Sequence, residues 1–306
     1  MSTGFVSLVD LPPPPAGRGG WPWTVAPAHA AEALPSGNPW PTISIVTPSY
    51  NQGYFIEETI RSVLLQGYPS LQYIIMDGGS SDATLDVLRK YEAWLHWVSE
   101  PDGGQTDAIN KGLRLATGEL RAYLNSDDTY LPGSLYAIAG FMTAHPEYGL
   151  AYGDCEVVDE VGNPLGYLPR HPFDLKRTVE RGEFVPQQAA FWRLSVQNQA
   201  GLLDDRLHFA MDYEFFIRMA TFAPVGYLPQ SLATFRMYGS SKTVSQSDKH
   251  WREALAVSER HGLRPYMPWY WLRRLRHHGL RSLPGFLQSR VRQRLARPYD
   301  PLLYRR

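Results

Sequence analysis

Short β-branched runs alternate with stretches of helical period through the first half of this chain, and each run stops in a polar loop. Thr42 to Thr47 is such a run; Pro48-Ser49-Tyr50-Asn51 ends it, and Ile56, Ile60, Val63 and Leu64 then recur at helical spacing. The unit repeats. Leu71 to Met76 reads as a buried strand, Asp77-Gly78-Gly79-Ser80-Ser81 as a turn, and Asp82 as the cap of a helix carrying Leu85, Leu88 and Tyr91. His96 to Ser99 is a third strand, Asp107 to Leu115 a helix, and Leu120 to Leu124 a fourth strand stopped by Asn125-Ser126-Asp127-Asp128. Strand and helix in alternation with short links predict an α/β domain: a Rossmann-like, mostly parallel, doubly wound sheet that binds ligands at the carboxyl ends of its strands. All four polar loops fall at that edge. Leu150 to Val158 reads as a further strand, and Met211 to Ala220 as a helix packing on the sheet.

Composition narrows the class. The 306 residues are 43% hydrophobic, enough for one large or two modest domains. A single cysteine, Cys155, makes neither an intrachain disulfide nor a thiolate zinc site, and it reads as a small buried residue. No stretch of about 18 apolar residues occurs, and residues 1–30 lack the pattern of a signal peptide, so a cytoplasmic protein is expected. No Walker sequence, no Gly-x-Gly-x-x-Gly after a strand and no His-Glu-x-x-His is present.

Charge and proline divide the chain. Residues 1–40 hold eight prolines and no apolar period, which predicts an extended arm with little independent structure, pinned by Trp21, Trp23 and Trp40. Residues 264–306 hold eleven arginines against one acid, a net +10, so residues 1–263 carry −10. Among the arginines stand Trp269, Tyr270, Trp271, Leu275 and Phe286, the composition of a basic, amphipathic helical tail. An anionic membrane surface suits it best, with a packed or oligomer-forming tail next and nucleic acid least.

The strand-end loops carry the chemistry. Asp127 and Asp128 are adjacent carboxylates of the kind that hold Mg²⁺ or Mn²⁺ together with substrate phosphate oxygens, although taken alone the motif is more often a plain turn in which Asp128 caps the next segment. Asp77 can accept from a ring N–H of a flat ligand such as a pyrimidine, or simply organise its own turn. In Glu100-Pro101-Asp102-Gly103-Gly104 and Asp107-Ala108-Ile109-Asn110-Lys111-Gly112, Asp102 could touch a sugar hydroxyl and Lys111 could balance phosphate, or both could face solvent.

In this order, these segments together with Thr47-Pro48-Ser49-Tyr50-Asn51 resemble family 2 glycosyltransferases over roughly residues 42–240. The resemblance implies a glycosyltransferase-A catalytic domain over 41–263, with a donor half at about 41–130 and an acceptor half at about 131–263. It implies transfer of one sugar, with inversion, from a nucleoside diphosphate-sugar to a carbohydrate or lipid-linked saccharide acceptor. Thr47, Pro48, Tyr50, Asp77 and Asp102 would hold the donor, with Asn110, Lys111, Asn125, Ser126 and Lys242. Asn125-Ser126-Asp127 stands in the place of the family's Asp-x-Asp element, which makes Asp127 the ligand of a divalent metal, Mn²⁺ or Mg²⁺, and Asp128 a second carboxylate there.

Downstream, Pro186 to Arg193 resembles the acceptor side, with Gln188 and Trp192, and Asp212 falls at the position of the catalytic base. Asp204, Asp205 and Glu214 are rival carboxylates, and Asp212 also suits a helix start. Thr234 to Lys242 resembles the family's closing segment, with Tyr238 where a His is common and Arg236 and Lys242 able to cover a diphosphate. The Gln-x-x-Arg-Trp motif of the processive members is absent, which favours a single transfer in polysaccharide or glycolipid assembly, peripheral at the inner face of the membrane. Two other readings compete. A nucleotidyltransferase acting on a sugar phosphate would carry a basic Gly-rich loop after the first strand, and a non-catalytic nucleotide-sugar binding module would not need Asp212.

Overall fold

In a computed structural model of the chain, residues 6–27, 33–34, 37–168 and 170–270 are described. The first half follows the alternation: β1 (Ile43–Ser49), α1 (Ile56–Leu64), β2 (Leu71–Asp77), α2 (Thr84–Tyr91), β3 (His96–Ser99), α3 (Gln105–Leu115) and β4 (Leu120–Tyr123). Then come β5 (Thr129–Tyr130), α4 (Ser134–Ala144), β6 (Leu150–Val158), β7 (Pro164–Tyr167) and α5 (Leu175–Arg181). A 3₁₀ turn at Gln187–Ala189 leads into β8 (Ala190–Arg193), α6 (Leu194–Ala200), α7 (Met211–Met219), β9 (Val225–Arg236), α8 (Lys242–Ser245) and α9 (Ser247–Arg260).

These strands form one sheet in the order β3-β2-β1-β4-β8-β6-β9-β5, with β7 alongside β6. The first four are parallel, as expected. Beyond β4 the sheet is mixed: β8 runs antiparallel to both neighbours, whereas β6 and β9 are parallel. β1 is buried along its whole length because helices cover both faces, so its apolar residues divide between two cores. Ile43 and Ile45 join α1, α2 and α4 on one side; Val46 joins α3, α7 and α9 on the other. Gly112 lets α3 lie close on β1, since a Cβ there would stand 2.4 Å from Val46 Cγ1.

One link shapes the functional edge. β4 lies in mid-sheet and β5 at the far edge, four strand spacings of about 4.8 Å away. Only 124–128 joins them, and it is drawn into a turn by Asp128 N–H donating to the Asn125 carbonyl at 3.1 Å. So short a link closes that gap because the sheet is curled. The curl puts the Ser-Asp-Asp turn against the end of β9, and Thr129 pairs with Thr234.

The described part of the Pro-rich arm is docked on the domain, and Trp21, Trp23 and Trp40 are among its contacts. Leu11 and Trp23 are buried, and Trp21 Nε1 donates to the Tyr130 carbonyl at 2.9 Å. The partner is Arg61 of α1, only 1% exposed, whose guanidinium donates to the carbonyls of Pro12, Pro22 and Trp23 and to Tyr91 Oη. A charge this buried needs every donor satisfied, and the arm supplies the acceptors. Trp40 packs edge-on against Tyr68 and Tyr136. At the other end, the core runs past the expected boundary at 263: Leu263 and Tyr270 are buried on the α7 side, and Arg181 lies over the Trp269 ring. The rest of the expected tail, 271–306, lies outside the described residues.

Candidate active site

A cleft of about 730 Å³ opens at the carboxyl ends of β1, β2 and β4 and is closed on its other side by α7, the segment after β9, and α9. Pro48, Tyr50, Asp102, Asn125, Ser126, Asp127, Gln188, Asp212 and Lys242 line it, so residues far apart in sequence converge as expected. Gly78 is part of this wall because the Asp102 carboxylate leans on it, and a Cβ there would meet Asp102 Oδ2 at 2.7 Å.

Other expected residues stand behind the wall. Thr47 is buried, with its hydroxyl 3.2 Å from Tyr73 Oη. Asp77 organises its own turn: its carboxylate accepts from Gly79 N, Ser80 N, Ser80 Oγ and Ser99 Oγ. Asn110 clamps the loop before α7 by bonding both the N–H and the carbonyl of Leu203. Lys111 turns to Glu100 and Asp107. Trp192 is fully buried and donates to Gln197. These five position the frame from beneath the cleft.

Across the floor runs a polar chain. Lys242 Nζ donates to Gln105 Oε1 (2.9 Å), Gln105 Nε2 to Asn125 Oδ1 (2.7 Å), and Asn125 Nδ2 to Asp128 Oδ2 and Gln187 Oε1 (both 3.2 Å). Asn125 therefore needs an amide, since it accepts on one side and donates on the other. Gln105 and Gln187 carry no charge and belong to no alternation, which is why sequence reasoning missed them.

The adjacent carboxylates differ in role. Asp127 faces the cleft; its Oδ2 accepts from Tyr238 Oη at 2.9 Å, and its carbonyl accepts from Arg236 Nε at 2.8 Å. Asp128 turns inward and is 1% exposed, accepting from Arg236 N, Asn125 and Gln188. Burial raises both carboxyls above the ordinary value of 3.8, Asp128 the further because Asp127 stands beside it. Tyr238 and the Arg236 cation pull Asp127 back toward ionisation. Arg236 is itself balanced by Glu58, 3.1 Å away. Among the described residues no three metal-binding side chains converge. One cleft-facing carboxylate nevertheless fits a hard cation whose remaining ligands are substrate phosphate oxygens and water.

Of the four carboxylates weighed as a base, Asp212 alone lines the cleft. Asp204 is held by Arg206 and Arg260, which keep it well below the usual carboxylate range, and Glu214 by Arg218 and His261. Asp205 is exposed. Asp212 sits in the first turn of α7 and accepts from Tyr213 N–H at 2.7 Å. Burial raises its pKa, and His250, Tyr213 N–H and Lys242 oppose the rise.

A curled α/β sheet with a carboxylate-floored cleft at its strand ends defines a glycosyltransferase-A domain. The chain belongs to Glycosyl transferase family 2, matching it over residues 44–217. An uncharacterized glycosyltransferase of Mycobacterium tuberculosis is 32% identical over 187 residues, 59% of this chain and 69% of the relative. A PGL/p-HBAD biosynthesis glycosyltransferase of Mycobacterium bovis is 28% identical over 234 residues, covering 73% and 88%. Two solved structures share the fold. S. aureus TarS 1–349 in complex with UDP superposes with a TM-score of 0.61 at 17% identity, over 82% of this chain and 78% of that one. The mannosyltransferase PcManGT from Pyrobaculum calidifontis, in complex with GDP-Man and Mn²⁺, gives 0.60 at 19%, over 83% and 75%.

Proposed function

We propose that this glycosyltransferase moves one sugar from a nucleoside diphosphate-sugar to an acceptor hydroxyl with inversion. The observation that carries it is that Asp127 and Asp212 face one cleft, which Asp204, Asp205 and Glu214 do not line, while Asp128 turns inward. Pro48, Tyr50 and Asp102 line the side for the nucleoside, with Thr47 and Asp77 shaping it from beneath. Asn125, Ser126 and Lys242 lie where the diphosphate would pass. Asp127 would hold Mn²⁺ or Mg²⁺; when bound, the cation offsets the charge that develops on the departing diphosphate. Asp212 takes the proton of the acceptor hydroxyl as its oxygen bonds to the anomeric carbon and the bond from that carbon to the diphosphate breaks. Lys242, its ammonium pKa lowered by burial, would donate to the leaving group from the same side as Gln105, to which it donates now.

The M. bovis relative works in PGL/p-HBAD biosynthesis by its name, which favours a glycolipid or lipid-linked saccharide acceptor. No helix among the described residues is long and apolar enough to cross a membrane. We therefore assign access to such an acceptor, at the inner face of the membrane, to the basic stretch within 264–306. The test is a panel of nucleotide-sugars with and without Mn²⁺, scored for hydrolysis and for transfer to saccharide and glycolipid acceptors. Metal-dependent release of nucleoside diphosphate with one donor is expected. Pyrophosphate release from NTP plus sugar phosphate would point to nucleotidyl transfer, and binding without turnover to a binding module.

A further inference from the structure

The helix that carries Asp212 has no cap of its own: its N-cap residue is Ala210, which offers no side-chain acceptor. The stretch that leads into its first turn is instead held from elsewhere in the chain. Glu253 of α9 accepts from three successive amides, His208 N (3.0 and 3.1 Å), Phe209 N (2.5 Å) and Ala210 N (2.7 Å). A carboxylate at that end also suits the helix dipole. Farther along, Tyr213 Oη lies 2.9 Å from Ser258 Oγ, and Ala254 and Val257 are buried against α7. One turn before Ala254, His250 lines the cleft beside Asp212. All of α9 lies beyond the family-matched span of 44–217.

We propose that α9 is the positioning element for Asp212, with Glu253 fixing the stretch that launches α7 and His250 supplying a titratable neighbour inside the cleft. The inference rests on the reading of Asp212 as the base. Fixing 208–210 fixes the first turn of α7, and a base displaced by about 1 Å loses on the order of 10²-fold in rate. The groups that face His250 are Asp212 from α7, Lys242 from α8 and Glu253 on its own helix. Burial and Lys242 disfavour the imidazolium, while the two carboxylates favour it. Whatever imidazolium forms favours ionised Asp212.

The experiment uses the full chain with Glu253→Gln, Glu253→Asp, His250→Gln and, as reference, Asp212→Asn. Transfer kinetics are measured with the donor identified by the panel, and binding of UDP and GDP with Mn²⁺ by calorimetry. Glu253→Gln is expected to lower kcat by about 10- to 100-fold with donor KM and nucleotide affinity within about twofold. Glu253→Asp, which keeps the charge but withdraws it by one methylene, should fall between it and the parent. His250→Gln should move the acid limb of the kcat profile to higher pH, because the positive charge that His250 can place beside Asp212 is gone. Parental kcat in both Glu253 variants, an equal loss of nucleotide affinity, or an unmoved acid limb would overturn the inference. Should Glu253→Gln fail to fold, Glu253→Asp and His250→Gln decide it. Full transfer by Asp212→Asn would instead remove the base reading, whereas an inactive Asp212→Asn beside parental Glu253 and His250 variants rejects only the role of α9.

Discussion

Tyr238 donates its hydroxyl to Asp127 Oδ2 at 2.9 Å, tying the segment after β9 to the cleft-facing carboxylate. Phe55 packs on the same tyrosine with ring centroids 4.9 Å apart and so helps hold the phenol in place. The bond favours the ionised form of Asp127 against the burial that opposes it.

Asp127→Ala is accordingly expected to abolish Mn²⁺-dependent binding of a nucleoside diphosphate and leave only the metal-independent part. Tyr238→Phe should weaken the metal-dependent part alone, because Asp127 then ionises less readily. Calorimetry of UDP and GDP with and without Mn²⁺ separates the two. Equal metal dependence in parent and Asp127→Ala would remove Asp127 from the cation's ligands.

Arg236 is 2% exposed and joins four parts of the molecule. It pairs with Glu58 of α1, donates to Asp127 and Asp128, and reaches the carbonyls of Asp159 and Glu160. Removing one partner of a buried charge pair costs about 3–5 kcal/mol. Arg236→Met should lose stability on that scale in urea unfolding, since Glu58 and Asp127 would keep their burial without the cation, while the backbone N–H bond to Asp128 stays. A loss below about 1 kcal/mol would mean that the pair behaves as a surface one.

The parallel half of the sheet was legible because its strands are short apolar runs cut by Pro, Gly and Asp, which mark both the strand and the edge where it ends. β9 was not: Pro229, Gln230 and Ser231 interrupt its apolar pattern where its pairing with β6 shifts register. Asp127 and Asp212 were legible as charged residues in recognisable segments, and the structure brings both to the cleft. Asp77, Asn110 and Lys111 stand in equally recognisable segments, yet their polar groups are spent on the protein's own loops. Sequence shows which group is present and not what it bonds. The tryptophans that pin the arm were legible, but what it docks on was hidden for a related reason: its backbone carbonyls are what Arg61 recognises, and carbonyls leave no mark in a sequence.

Acid should find a weak point at α7. Burial works against the Glu214 carboxylate, but His261 and Arg218 prevail and hold its pKa at about 2, against an ordinary 4.5. A carboxylate depressed in the folded state contributes stability that is fully present above its unfolded pKa and is lost as pH falls through the folded one. The loss should therefore run from about pH 4.5 down to about pH 2. Glu214→Gln should be less stable than the parent at pH 7 and show a shallower decline over that window in thermal melts. Parallel curves for the two proteins would mean that Glu214 is not linked to folding.

The basic tail is tested by where the chain is cut. Because Tyr270 is buried in the core and Trp269 stacks under Arg181, a truncation at 264 would remove packing along with charge, whereas one after 270 leaves those contacts in place. Residues 271–306 still hold ten arginines against Asp300. Each basic residue near an anionic surface contributes on the order of 1 kcal/mol, screened within a Debye length of about 10 Å at 0.1 M salt. The full chain is expected to sediment with phosphatidylserine-containing vesicles at low ionic strength and to release as salt rises. The protein ending at 270 should stay in the supernatant while keeping its melting temperature and its nucleotide-sugar hydrolysis. Supernatant protein in both cases would reject the membrane surface as partner; a lowered melting temperature after truncation would assign the tail to packing, and a changed oligomeric state to self-association.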